Sequence, residues 1–253
     1  MQHLLHFKAD VEAKNITGAT ALHLAIGLEH GLQFVELLVA YGADVEAQEN
    51  WCFTALHGAS EANKSGHLSY LLSKGANINA ETQMGHSAPS IAVMSNSRDA
   101  LRILFKDPEL HTNVFDVRGY NIATDAASYG DSETVRLLNE VCLSDVDINR
   151  PNWDGDTPLD IARWRRDRNV EWSRRSLRPL DDDPIAWFEA FMKLYDGIKS
   201  RQERGSDSMS EERETTSDKV DERGISEAES SGEACDLEEW EDALESPNAA
   251  LDL

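Results

Sequence analysis

The feature that most limits what this chain can fold into is self-similarity at a fixed lag. Thr20-Ala21-Leu22-His23-Leu24-Ala25 returns 34 residues later as Thr54-Ala55-Leu56-His57-Gly58-Ala59. Looser copies follow at Ser87-Ala88-Pro89-Ser90-Ile91-Ala92, Asn121-Ile122-Ala123-Thr124-Asp125-Ala126 and Thr157-Pro158-Leu159-Asp160-Ile161-Ala162. Their first residues step by 34, 33, 34 and 36. A second motif keeps the same beat: Ala9-Asp10-Val11-Glu12-Ala13, Gly42-Ala43-Asp44-Val45-Glu46-Ala47 and Gly75-Ala76-Asn77-Ile78-Asn79-Ala80. Thr112-Asn113-Val114 and Asp147-Ile148-Asn149 are degraded copies of it. A lag of this size marks stacked supersecondary units, each too small to bury its own apolar face.

Between the two motifs lie short apolar patterns of helical period: Phe34, Val35, Leu37 and Leu38; Leu68, Leu71 and Leu72; Leu101, Ile103 and Leu104; Val135, Leu137 and Leu138. Each is about two turns long, and a helix that short is marginal alone in water. A neighbour one repeat away supplies the missing cover.

These residues carry a resemblance. The T-x-L-H-x-A and G-A-D-V motifs at a period near 33 are similar to those of the ankyrin-repeat family, over about residues 1–165. The resemblance implies an all-α solenoid of helix-turn-helix repeats with short β-hairpin fingers. The motif residues read as structural. The Thr near the start of each first helix is a capping residue. Pro158 costs nothing at a first helical position. Ala25, Ala59, Ala92, Ala126 and Ala162 are small where helices crowd, and Gly42 and Gly75 suit left-handed helix ends. In the family the motif His bonds between adjacent turns, so His23 and His57 are expected to be structural rather than catalytic. Pro89, Asn121 and Asp125 depart from the pattern, and Cys52 stands where other copies have Gly18, Gly85, Gly119 and Gly155. The middle repeats are therefore expected to be locally weak.

The expected organisation is a partial repeat at 1–14, an array at 15–165 (about four repeats and the first helix of a fifth), an Arg-rich linker and capping helix at 166–199, and a disordered acidic tail at 200–253. The opening Leu4 to Val11 reads as the end of a second helix, which leaves two readings: a piece of a longer array, or a frayed half-repeat. Asp181-Asp182-Asp183-Pro184 opens the capping helix, since acids suit a helix N-terminus. Ile185, Trp187, Phe188, Phe191, Met192, Leu194, Tyr195 and Ile198 give it one broad apolar face, which either seals the last repeat or anchors a partner.

Charge narrows the function. The chain holds 47 acids against 24 bases, a net of −23, and residues 201–253 alone hold 18 against 5. Such a surface repels phosphate and anionic lipid, which argues against nucleic acid and membrane as partners. Seven Arg fall within residues 163–178 (163, 165, 166, 168, 174, 175 and 178) beside Trp164 and Trp172. This Arg163–Arg178 cluster has three readings: solvated charge, an intramolecular dock for the acidic tail, or a phosphate or nucleic-acid site. In the tail, Leu237, Trp240 and Leu244 make a helical stripe that either folds into a partner's groove or packs back loosely. Ser208, Ser226 and Ser230 each precede a Glu by three, a spacing that suits acid-directed phosphorylation.

No stretch has 18 consecutive apolar residues, so no transmembrane helix is expected, and Met1 to Lys8 has no basic region before a long apolar run, so no secretory leader is expected. Cys52, Cys142 and Cys235 are odd in number and far apart, which suits a reducing compartment. Asp145-x-Asp147-x-Asn149 begins like a calcium loop but has Arg150 at the turn position and Asp156 at the last. No nucleotide-binding, zinc-protease or hydrolase motif is present. No cofactor, metal or catalytic residue is expected, and the protein is read as a non-enzyme.

The family resemblance implies a protein-binding module, cytoplasmic or nuclear, whose as yet unidentified protein partner meets the concave face. The fingertips there offer Trp51, Phe53, Met84, Arg118, Tyr120 and Trp153. The first helices offer Leu28, Glu61, Met94, Tyr129, Trp164 and Arg165. Two alternatives stand beside this: a nuclear or transcriptional regulator acting through the acidic tail, and the C-terminal sensor part of a larger multidomain protein.

Overall fold

In the computed structural model, residues 9–141, 143–175 and 183–213 are described. The repeats form helical hairpins: α1 (Ala21–Gly27) with α2 (Leu32–Ala40), α3 (Ala55–Glu61) with α4 (Ser65–Ser73), α5 (Ala88–Met94) with α6 (Arg98–Leu104), and α7 (Ile122–Ser128) with α8 (Ser132–Glu140). Two longer helices close the order, α9 (Pro158–Arg175) and α10 (Pro184–Arg213). The first helices stack in a row, α1 on α3 on α5 on α7 on α9, with α2, α4 and α6 stacked as a second layer. The core lies between the rows. Leu22, Leu38, Leu56, Leu68, Leu71, Leu101, Leu104 and Leu138 are all at most 1% exposed. Each contributes roughly 2 kcal/mol of burial, and the motif alanines let the helices approach.

The helix ends follow the motif. After α2 the chain enters the left-handed region at Gly42 (φ 89°), and Gly42 N–H and Ala43 N–H donate to Val39 O and Leu38 O, both at 3.0 Å. Gly75 repeats this after α4. These paired bonds satisfy carbonyls that the helix leaves open.

The fingers project from the hairpins and carry single antiparallel bridges, Gln48 with Thr54 and Glu81 with Ser87. One backbone bond links each finger to the next: Asn50 N–H to Thr17 O (3.0 Å), Gln83 N–H to Trp51 O (2.7 Å), Val117 N–H to Met84 O (2.9 Å) and Trp153 N–H to Arg118 O (3.0 Å). The turn residue beside each acceptor must be left-handed and clear of the next finger. At Gly85 (φ 80°) a Cβ would stand 2.9 Å from Asp116 Cα. In the second repeat Trp51 (φ 73°) and Cys52 (φ 55°) adopt the left-handed region without being glycine, a strained arrangement.

A second ladder joins the repeats. Glu12 Oε1 accepts from Asp44 N–H (2.9 Å), Glu46 Oε1 from Asn77 N–H (2.8 Å), Asn79 Oδ1 from His111 N–H (2.7 Å) and Asn113 Oδ1 from Asp147 N–H (3.0 Å). Between helices, Asn63 and Asn96 are left-handed (φ 51° and 53°). Asn63 Oδ1 accepts from Asp99 and Ala100 N–H (3.0 and 3.1 Å), and Asn96 Oδ1 from Asp131 N–H (2.7 Å).

Two helices outrun the boundaries drawn from composition. α9 continues past residue 165 to Arg175, and α10 past residue 199 to Arg213. α10 lies on the end of the array. Trp187, Phe191, Leu194 and Ile198 are buried, while Ile185, counted in the apolar face, is 59% exposed. Trp187 Nε1–H donates to Gly130 O (2.8 Å), and further along Gln202 Nε2–H donates to Val146 O (2.7 Å). Polar contacts with carbonyls therefore extend the seat of α10 beyond its apolar stretch.

Candidate functional site: the concave face

The scaffold of the face begins at the N-caps of the first helices. Thr54 N–H donates to His57 Nδ1 (3.1 Å), and His57 Nε2–H donates to Ala80 O (3.0 Å), which ties α3 to the chain of the following repeat. Burial pushes the His57 imidazole down to about 4, so it is neutral at pH 7. His23 makes the same pair of contacts, with Thr20 N–H (3.3 Å) and Phe53 O (3.1 Å). The third repeat uses Ser87, whose Oγ accepts from Ser90 N–H (3.5 Å).

The fourth repeat reaches the same result with other residues. Asn121 Oδ1 accepts from Ala123 and Thr124 N–H (both 3.1 Å), and Asn121 Nδ2–H donates to Asp147 O (2.7 Å). One side chain thus caps α7 and reaches the following repeat, as Thr54 and His57 do together. Asp125, the other departure in this repeat, is wholly buried. Burial pushes its carboxyl up to about 7, against a hydrogen bond from Ser90 that favours the charged form. Its Oδ1 has no hydrogen-bond partner.

Four of the candidate residues come together. Tyr120, Tyr129, Trp164 and Arg165 line one cleft of about 400 Å³ between the fourth repeat and α9, with Ile161, Asp156 and Asp160. Phe53 and Glu61 line a second, of about 280 Å³, with Leu24 and Glu49. Trp51 (60% exposed) and Trp153 (79% exposed) project from fingertips outside both clefts, as does exposed Arg118. Leu28 is exposed, and Met84 and Met94 are half-buried.

Arg165 differs from the other candidates. Its Nη1 donates to Ala127 O (3.2 Å) and Gly130 O (2.9 Å), and its guanidinium stacks on Trp187 at 4.2 Å. It binds α10 to the array as well as lining the cleft. The rest of the Arg cluster that is described also meets its own chain. Arg166 lies over Phe188 (4.5 Å), Arg168 over Trp164 (4.9 Å), and Arg163 Nη1 is 3.9 Å from Asp160. Arg174 and Arg175 fall on α9. Arg178, the tail motif Leu237, Trp240 and Leu244, Ser226 and Ser230, and Cys142 and Cys235 lie outside the described residues.

Sequence reasoning missed Leu24, Glu49, Asp156, Asp160 and Ile161 in the cleft walls. Leu24 is 58% exposed although it sits inside the repeat motif, and its unpaired place on the outward side of α1 was the available signal. Asp160 was read only as part of a motif copy. Its Oδ2 accepts from Thr157 N–H (3.1 Å) and Oγ1–H (2.6 Å), bonds that hold its carboxyl below the usual range, with Arg163 adding to them. The calcium-like carboxylates are otherwise engaged: Asp145 Oδ1 accepts from Thr112 Oγ1–H of the preceding repeat (2.5 Å), and Asp147 Oδ1 accepts from Asn149 N–H in its own turn (3.0 Å).

Helical hairpins stacked in register, with their fingers bonded to one another in series, define a solenoid of helix-turn-helix repeats. The family model described as "Ankyrin repeats (3 copies)" matches residues 1–82. The solved ankyrin repeat domain from Acinetobacter baumannii AYE is 25% identical with a TM-score of 0.55, covering 68% of this chain and 87% of that one. Residues 1–82 thus match ankyrin repeats, and the hairpins of the later repeats share the architecture of a solved ankyrin repeat domain.

Among curated proteins, L-asparaginase of Dirofilaria immitis is 27% identical over 67% of this chain and 28% of its own length. The NF-kappa-B inhibitor cactus of Drosophila yakuba is 29% identical over 61% of this chain and 30% of its own. Protein phosphatase 1 regulatory subunit 27 of mouse is 33% identical over 39% of this chain and 62% of its own. The chain thus spans less than a third of the asparaginase and of cactus. Among the described residues, no helix is long and apolar enough to cross a membrane.

Proposed function

We propose that this chain binds a partner protein through its concave face, with the exposed aromatic residues as anchors, in the cytoplasm or nucleus. The observation that carries the reading is the gathering of Tyr120, Tyr129 and Trp164 around one cleft, with Trp51 and Trp153 exposed on the fingers of the same edge. Large rings are the side chains that dominate interface energetics. Here they lie on rigid, hydrogen-bonded supports, which lowers the entropy lost on binding. The test is affinity capture with mass spectrometry from the native cell, using the full chain and its Trp51→Ala/Trp153→Ala variant. The variant should lose the partner and keep its Tm; a partner retained by it would move binding off this face.

A second reading is a nuclear or transcriptional regulator that acts through its acidic tail. It draws on the likeness to the NF-kappa-B inhibitor cactus and on the acidic tail. Here the useful comparison is the full chain against residues 1–213. A cut at 200 would remove Gln202, which hydrogen-bonds the array. A partner lost only with residues 214–253 would favour this second reading.

A further inference from the structure

We propose that the cleft between the fourth repeat and α9 is a receptor for one cationic side chain, arginine or lysine, carried on an extended segment of the partner. The inference rests on the concave-face reading and gives the partner a chemistry. The walls are aromatic and acidic together. Tyr129 is 48% exposed and Trp164 60% exposed, with Tyr120 beside them. The faces of such rings attract a cation within about 6 Å. The carboxylates of Asp156 and Asp160 complete the lining, and both residues are exposed. Asp156 makes no ion pair among the described residues.

Two facts bear on whether a cation fits beside the local arginines. The first is that Arg165 is already committed, stacked on Trp187 and bonded to two carbonyls. The second is that these surfaces already accept guanidinium groups from their own chain. Arg168 lies 4.9 Å from one side of the Trp164 ring, and Arg163 stands 3.9 Å from Asp160. The chemistry of the cleft is therefore that of a guanidinium receptor, with Asp156 left over. The cleft volume, about 400 Å³, admits a long side chain and leaves room for water. Charge supports the same occupant at longer range. The first 200 residues carry 29 acids and 19 bases, a net of −10, a field that steers a basic segment toward the face.

The test uses the full chain and three capped peptides of Gly and Ser that differ at two positions: arginine, lysine, or citrulline, the neutral isostere of arginine. Binding is read by two-dimensional NMR at the Trp164 indole N–H, assigned with Trp164→Phe, and by calorimetry. The arginine and lysine peptides should shift that signal saturably, and the citrulline peptide should bind roughly tenfold more weakly. Asp156→Asn and Trp164→Ala should each weaken the arginine peptide by a similar factor at unchanged Tm. Asp156→Asn removes one charge of a strongly acidic chain, so it separates the cleft from general attraction to the tail. No binding at all, equal binding of the citrulline peptide, or full binding by both variants would each overturn the proposal. None of these outcomes touches the Trp51/Trp153 experiment, so the cleft and the wider concave-face reading fail separately.

Discussion

The second and fourth repeats solve one structural problem with different chemistry. Both must cap a seven-residue first helix and hold it to the following repeat. The second divides the work between Thr54 and His57, and its buried imidazole stays neutral. The fourth gives both tasks to Asn121. It then buries a carboxylic acid, Asp125, with one oxygen unpartnered. A departure from the motif is thus no measure of weakness by itself. Asn121 loses nothing in connection, and the cost in this repeat lies with Asp125. The two repeats also differ in cover. The fourth is roofed by α10 through Trp187 and Gly130, whereas the second lies between like neighbours.

The contrast is broken most severely by removing the roof. Trp187 is 2% exposed, hydrogen-bonded and stacked under Arg165. Trp187→Ala should cost about 3–5 kcal/mol in urea unfolding. Residue-resolved hydrogen exchange should show α7 and α8 opening first while α3 keeps its protection; a uniform loss would mean that the array melts as one unit.

The next effect is one of sign. The Asp125 carboxyl titrates near 7 when folded and near its ordinary 3.8 when unfolded. The folded state therefore holds the extra proton, and its stability falls as pH rises from about 4 to 7. His57 titrates near 4 when folded and near 6.5 when unfolded. There the unfolded state holds the extra proton, and stability falls as pH drops from about 6.5 to 4. Across its window each change in stability should amount to roughly 3–4 kcal/mol. Urea midpoints between pH 4 and 8 should show Asp125→Asn removing the fall in stability as pH rises from 4 to 7, and His57→Asn removing only the opposing fall as pH drops from 6.5 to 4. An unchanged fall with rising pH in Asp125→Asn would assign the titration to other groups.

The smallest effect sharpens the finger comparison. Cys52 takes φ 55° where the other fingers use glycine. Cys52→Gly should raise stability by about 0.5–1 kcal/mol, the left-handed strain relieved less the entropy of glycine. Gly85→Ala should lower it, because of its φ and the approach to Asp116. Thermal melts of the two variants that moved in the same direction would count against strain in the second finger.

Much of this was legible in the chain. Repeated Thr, His and Ala positions announce a period, and the period dictates stacking; the left-handed helix ends at Gly42 and Gly75 could be read directly. The second ladder could not. Its acceptors change from Glu12 and Glu46 to Asn79 and Asn113, and its donors are backbone N–H groups that carry no residue signature. Asn63 and Asn96 were silent for a similar reason, since their partners belong to the following repeat. At the candidate site the residue types were legible and their meeting was not. Tyr120, Tyr129 and Trp164 have unequal spacings, and only the stacking of α7 on α9 closes a cleft around them. Arg165 looked outward by its position on the helix. Its inward partners, Gly130 and Trp187, follow no period.

The ladder from Glu12 to Asn113 has a consequence for how such a chain can change its length. Each internal repeat carries one acceptor side chain facing forward and one backbone N–H facing back. Carboxylate and carboxamide serve alike as the acceptor, so the joint is indifferent to which copy supplies it. A duplicated repeat would arrive with both halves of the coupling already in place, and a deleted one would leave two compatible ends. Growth and shortening by whole units are therefore open to this architecture without redesign of any neighbour, while the end closed by α10 stays as it is.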